Sequence, residues 1–406
     1  MEIQTIYRCA VGIDVHLMSF SVCVIIQSGE NTEPEVHLRE FGGFKRDKQA
    51  MAKWIAGFSP DIVVMESTGI YWKSPYVWLE RAGIRALVVN AQHVKKVPGR
   101  KTDTSDAQWL AMLARSGLLR GSFIPPRELR NLRQITRYHK KLTGQLIAEK
   151  NRLVKTLSDG GIRISAVVSD PHGASATAMI DCLLNGGTPE QALKYANRRL
   201  KASREELLMA LESDLSEEHI FTAKMQRRHI EYLYDQLAEL EHELLARLAP
   251  YQPAIDLLKT IPGMDTLSVA QLIVEIGTDM SAFGSPEKLS KWAGICPGNH
   301  ESAGKRYSGK TTKGNRFVRS LLCQIAWAAV RTTSQFKGKY QGLVIRRGAK
   351  RAIVAVAHKI LRTVFVLLQR NVPYQDSTVN YEELMVKRNA PRWIKALKQY
   401  QLLPQN

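Results

Sequence analysis

The sequence predicts an α/β N-terminal domain followed by a mostly α-helical remainder. Three observations carry this. Short apolar runs alternate with helix-like segments over the first hundred residues, the pattern of a central sheet with helices packed on it. Helical spacing takes over from about residue 127. A leucine-rich seam then steps by 3, 4, 3 and 4 through Ile230, Leu233, Leu237, Leu240 and Leu244, the signature of a short coiled coil or a helix hairpin. With 406 residues, at roughly 150 per domain, two or three domains are expected. The texture places them at 1–126, 127–250 and 251–406.

The elements follow in order. IYRCAVGID and SFSVCVII, within residues 5–26, read as two β-strands joined by a turn, and EVHLREF at 35–41 as a third. A helix is expected near 46–57. DIVVMES ends an apolar strand on Glu66, and RALVVN ends another on Asn90, with a helix over 73–83 between them. KTDTSDAQWLAML continues as an amphipathic helix. The Gly-, Ser- and Ala-rich piece 160–190 reads as a loop or an inserted subdomain. The seam spans about two heptads, too short to stand alone. In IPGMDTLSVAQLIVEIG, 261–277, apolar helices flank a Pro-Gly turn.

Charge narrows the function. Lys and Arg number 58 against 38 Asp and Glu, a net +20, which predicts a polyanionic partner, most simply nucleic acid. From Ser302 to Gln375 there are 16 Lys or Arg and no acid; such a surface is built against phosphate. The five cysteines, Cys9, Cys23, Cys182, Cys296 and Cys323, form no CxxC pair, which suits a reducing cytoplasm. The N-terminus does not read as a signal peptide. The apolar stretch 352–369 carries His358, Lys359 and Arg362 and reads as a buried or amphipathic helix, with no membrane partner expected.

Four acids stand out. Asp14 follows an apolar strand in GIDVH, and Glu66 ends a second strand, where open α/β sheets place functional side chains. Asp103 and Asp106 share one face of a first helical turn, at the positive end of the helix dipole. Magnesium takes hard oxygen ligands, and two ions about 4 Å apart can stabilise both oxygens of a phosphoryl displacement. Four carboxylates can hold such a pair. The alternative is structural: Asp103 and Asp106 as helix-terminal acids, Asp14 as a turn cap, Glu66 paired with Lys101.

GIDVH, MESTGIYW and KTDTSDAQWLA, in that order, resemble the bacterial insertion-sequence transposases with a DEDD tetrad. KLSKWAGICPGNHESAGK and KTTKGNRFVRSLL resemble that family's C-terminal transposase domain. The resemblance implies a RuvC-like domain of the RNase H fold and a Mg2+ site, with two ions, formed by Asp14, Glu66, Asp103 and Asp106. It implies a serine nucleophile at Ser302, with Ser308 as the second choice because Ala303 stands where the family more often has Gly. It further implies donor and target DNA as partners, an element-encoded guide RNA, and homodimers that join into tetramers.

A serine hydroxyl needs a base or a metal to become a nucleophile, and His300 is the nearest candidate base in sequence. Lys305, Arg306 and Lys310 could neutralise the attacked phosphate; Lys101, Lys313 and Arg316 extend the same basic surface. GKRYSGKT, 304–311, matches the P-loop pattern, but no strand precedes it and no helix follows directly, so it reads as a phosphate-binding glycine loop. The Pro262-Gly263 turn resembles a helix-hairpin-helix, which would offer Gly263 backbone N–H groups to phosphate. Residues 127–155 carry nine Lys or Arg and two Glu, with Arg130, Arg133 and Arg137 on a stripe suited to a duplex. Two other functions stay open: a structure-specific endonuclease that uses water, and a non-enzymatic architectural protein with an inert tetrad.

Overall fold

The computed structural model describes residues 6–29, 32–67, 69–94, 105–298, 300–376 and 381–402. The chain divides into two compact units, 1–124 and 125–406.

The first unit is built on a mixed sheet. Its strands are β1 (Cys9–Val15), β2 (Ser19–Ile26), β3 (Glu35–Gly42), β4 (Ile62–Glu66) and β5 (Ala86–Val89), in the order β3-β2-β1-β4-β5. β1, β2 and β3 are antiparallel neighbours, whereas β4 runs parallel to β1 and β5 to β4. Helices α1 (Lys45–Ala56), α2 (Lys73–Arg81), α3 (Ala91–Val94) and α4 (Asp106–Arg115) complete the unit. Alternation along each strand supplies both faces of the sheet. Val11, Ile13, Val22, Val24, Val63 and Met65 pack on Met51, Ile55 and Leu79 of α1 and α2. Ala10, Ile62 and Val64 pack on Leu110 and Leu113 of α4, and Cys23 and Ile25 on its Ala107 and Ala111. With apolar residues on both faces, the central strands read as continuous hydrophobic runs.

Gly12 sets how closely α4 approaches. A Cβ there would lie 2.1 Å from the Ala107 carbonyl oxygen and 2.5 Å from the Ala111 nitrogen, so no side chain fits. The Arg115 carbonyl accepts N–H bonds from Ile6 and Tyr7 at 3.0 and 3.1 Å. The C-terminus of α4 therefore lies at the start of β1, and its N-terminus at the opposite end of that strand.

The second unit is helical: α5 (Arg127–Asp159), α6 (Ile164–Val167), α7 (Ala174–Leu184), α8 (Pro189–Ala192), α9 (Arg204–Leu211), α10 (Glu217–Arg247), α11 (Gln252–Lys259), α12 (Thr266–Ile276), α13 (Pro286–Trp292), α14 (Arg316–Ala329), α15 (Gln335–Arg347), α16 (Ala349–Arg370) and α17 (Tyr381–Gln399). It also carries a hairpin of β6 (His300–Ser302) and β7 (Lys305–Ser308). Helices α5 and α10 run antiparallel, since His139 meets Glu241 at 2.8 Å and, towards the other end, His219 meets Asp159 at 3.2 Å. Ile230, Leu233 and Leu237 of the seam pack on Leu142, Leu146, Leu153 and Leu157 of α5. Residues 160–190 form short helices on the same core, through Ile162, Met179, Ile180 and Leu183.

Helix α16 is long and apolar enough to cross a membrane by length and composition. Here Ile353, Val356, Ile360, Leu361, Val364 and Phe365 are buried, and the helix packs on α11, α13, α14 and α15.

Candidate active site and nucleic-acid interface

The sheet register brings two of the acids together. β1 and β4 run parallel with Gly12 beside Val64 and Ile13 beside Met65. The next step puts Asp14 beside Glu66, on strands about 4.8 Å apart. Asp14 continues the face of Ala10 and Gly12, and Glu66 that of Ile62 and Val64, so both acids lie on the side that α4 covers. Asp106 opens α4 at this same end. Ser105 caps the helix by accepting the Gln108 N–H at 3.2 Å, which places the Asp106 carboxylate in the first turn, where the helix dipole favours an anion. Asp103 and Lys101 lie outside the described residues.

Asp14 has an unforeseen neighbour. His16 Nε2 lies 3.2 Å from Asp14 Oδ2, with the carboxylate only 21% exposed. Among the described residues, no three His, Cys, Asp or Glu side chains stand close enough to hold an ion by themselves. The fit to a cation thus rests on the donor types: three hard-oxygen acids carried to one end of the sheet.

The serine region is a β-hairpin. Ser302 ends β6 opposite Lys305, and Ser308 lies opposite His300. Ala303 and Gly304 form the two-residue turn, both left-handed, with φ of 48° and 74°, as the tightest hairpin turns require. Ala303 thus occupies a conformation that suits glycine better than alanine. The segment 304–311 runs through this hairpin rather than opening a helix, and α14 starts only at Arg316, capped by Asn315. Lys305, Lys310, Lys313 and Arg316 are all exposed, and Arg316 stacks 5.2 Å from the Phe317 ring centroid.

The α5 arginines expected on a duplex-binding stripe are partly turned into the protein. Arg130 is buried, with Nη1 3.5 Å from the Pro125 carbonyl oxygen. Arg133 turns inward, 3.1 Å from the carboxylate of Glu275, which is 4% exposed. Arg137 stands 3.6 Å from the same carboxylate and 4.6 Å from the Phe317 ring. The reason is Glu275, a buried acid among the apolar residues Leu272, Ile273, Val274 and Ile276, which is costly to bury without cations. Burial pushes the Arg133 guanidinium down to about 10, with Glu275 acting in the opposite sense. Gly263 has φ +85°, and a Cβ there would lie 2.3 Å from the Ala329 nitrogen; close packing on the end of α14 is what this glycine provides.

A mixed five-stranded sheet with acids at one end, joined in sequence to a basic helical unit, defines a class: a two-unit protein suited to phosphodiester chemistry on nucleic acid. Residues 11–160 match the DEDD transposase model of the IS110 type, and residues 255–341 match the transposase model of the IS116/IS110/IS902 family. The chain belongs to the IS110/IS116 family of insertion-sequence transposases.

It is 27% identical over 383 residues to the transposase for insertion sequence element IS1111A of Coxiella burnetii, covering 90% of each chain. It is 25% identical over 324 residues to a probable family 20 transposase of Pseudomonas aeruginosa, covering 78% of this chain and 86% of that protein. Among solved structures it is similar to Thermus thermophilus RuvC, at 15% identity and a TM-score of 0.22, over 28% of this chain and 99% of that one.

Proposed function

We propose that this transposase cuts and rejoins DNA with acids of an RNase-H-like first unit and a serine of the second. The observation that carries the proposal is the register that sets Asp14 beside Glu66, with Asp106 heading α4 at the same end. The sheet order, with three antiparallel strands followed by two parallel ones, supports the RNase-H-like reading. Asp14, Glu66, Asp106 and Asp103 would hold divalent cations, Mg2+ by the resemblance. Bound there, such ions would lower the pKa of an attacking hydroxyl and offset charge on the phosphate.

The chain's own residues would do the rest. Ser302, at the end of β6 across the hairpin from exposed Lys305, would present its hydroxyl to a phosphodiester. The serine–phosphate bond forms as a P–O bond to one deoxyribose oxygen breaks, and that oxygen takes up the proton the serine gives up. No bond energy is lost, so the joint can be resealed on a second strand. Donor and target DNA, an element-encoded RNA and an assembly of homodimers into tetramers belong to the same reading. The acid-free stretch 302–375 supports the nucleic-acid partners.

A covalent-adduct assay on supercoiled DNA carrying the element ends tests this. The protein should remain on the DNA after denaturation, Ser302→Ala should lose the adduct, and binding should change little. A second reading has its own support: the three placed acids all belong to the first unit. They would suffice for hydrolysis by water, as in a resolvase. Nicks with no adduct, equal in wild type and Ser302→Ala, would establish that reading and refute the serine.

A further inference from the structure

A cluster of like charges lies where α15 and α16 pack together, in the second unit. On α16, His358, Lys359 and Arg362 fall at i, i+1 and i+4, within about one helical turn. On α15, Gln335 and Lys339 are i, i+4 neighbours, and Lys359 Nζ donates to Gln335 Oε1. This contact brings Lys339 to the side of Lys359 and Arg362. Cys296, six residues before Ser302, has its Sγ 3.8 Å from His358 Nε2, which ties the cluster to the segment between α13 and β6.

Among the described residues, Glu287 and Asp376 border the cluster. Arg362 Nη2 lies 2.7 Å from Glu287 Oε1 of α13, both side chains about half exposed. Asp376 accepts the Gln335 N–H and the Tyr374 hydroxyl. Lys291 of α13 adds another cation, felt at Cys296. The electrostatic cost is visible on the groups themselves. Burial, then Lys359 and Arg362, hold the Lys339 ammonium below its ordinary value. Burial, then Arg362 and Lys339, do the same to His358, with Glu287 opposing. A partly buried ammonium beside two other cations destabilises the protein that carries it, and such arrangements concentrate at functional sites.

We propose that Lys339, Lys359 and Arg362 form a cradle for one phosphate of a nucleic-acid backbone. An anion there would relieve the mutual repulsion of these cations. The assignment rests on the nucleic-acid reading above, but its ligand chemistry is only that of a phosphate diester or monoester. DNA, RNA and free phosphate are told apart by test.

The full-length protein is melted at constant ionic strength in chloride and in inorganic phosphate. Phosphate should raise the wild-type Tm. Lys339→Met should melt above wild type in chloride, since it removes a repelled buried charge, and phosphate should add nothing to it. A Lys339→Met protein that melts lower, with the phosphate shift intact, would overturn the proposal by making Lys339 a structural residue. Glu287→Gln gives an independent arm, because removing that carboxylate should enlarge the phosphate shift; an unchanged or smaller shift counts against the cradle.

Binding to a duplex DNA and to a single-stranded RNA of the same length is then measured against salt. Losing one phosphate contact should lower the slope of log K on log salt by about 1 and weaken binding about tenfold on the polymer that fills the cradle. Equal slopes for wild type and Lys339→Met on both polymers would refute the proposal. A wild type that cuts no DNA would sink the recombinase reading while leaving the phosphate shift in place.

Discussion

Removing the Glu275 carboxylate should destabilise the second unit far more than an ordinary substitution. Glu275 Oε2 accepts from Arg133 at 3.1 Å and from Asn315 Nδ2 at 2.8 Å. The Glu275 carbonyl takes a further bond from Arg133 Nη2 at 2.7 Å. The Arg133 side chain is 13% exposed and the Glu275 side chain 4%, so neither is rescued by solvent. Asn315 is also the cap of α14, accepting the Phe317 and Val318 N–H groups at 2.9 and 3.2 Å. Glu275→Ala therefore leaves a buried guanidinium without its counter-charge and a helix cap without its anchor. Breaking a buried pair from one side costs about 3–5 kcal/mol. At roughly 2–4 °C per kcal/mol for a unit of this size, Tm should fall by about 6–20 °C. Thermal and urea unfolding read the loss. The double variant Arg133→Met/Glu275→Leu removes both charges and should recover most of it, because paired apolar replacements are often neutral. A loss below about 1 kcal/mol, or a double variant no better than Glu275→Ala, would refute the account of this network.

Other outcomes follow from the same geometry. Gly12→Ala would force a Cβ to within 2.1 Å of the Ala107 carbonyl; it should cost about 1–3 kcal/mol by overpacking and reduce DNA cutting by shifting Asp106, which a melt beside a nicking assay can contradict. Ala303→Gly should stabilise the hairpin by about 1 kcal/mol, as φ is +48° there; an unchanged or lower Tm would show that the alanine is unstrained. His358 is held below its ordinary value of 6.5 in the folded state, so the unfolded chain takes up its proton first as pH falls. That stability is present above about pH 6.5 and is lost as pH drops towards the folded value. The acid side of the stability–pH curve should flatten in His358→Gln, and an identical curve would exclude the residue as its source.

The strands were legible because the central ones are buried on both faces. IVVM and ALVV allow no amphipathic helix, and each falls in the sheet where its run of apolar residues places it. The pairing of Asp14 with Glu66 was not, since a parallel register between residues fifty apart leaves no local mark. The seam foretold only part of α10. The helix runs for 31 residues because α5 covers one side along its length, while Phe221, Tyr232 and Tyr234 stay exposed on others and break any simple heptad. Spacing alone made the α5 arginines look like a phosphate-facing stripe. The corrective signal was present in LSVAQLIVEIG, where a single acid in an apolar helix calls for buried cations. His16 offers no such cue, for only the turn after β1 folds its ring back onto Asp14. The Lys339 cluster joins two helices whose facing sides the sequence does not specify.

The central claim is that the acids at the ends of β1 and β4 and at the head of α4 act as one cutting site. The direct measurement is strand cleavage of supercoiled donor DNA by wild type, Asp14→Asn and Glu66→Gln, with melts to establish folding. Each variant should fold as wild type does, bind DNA, and lose at least about 100-fold in cleavage rate, about 2.7 kcal/mol in barrier. Cleavage at the wild-type rate by either folded variant would contradict it.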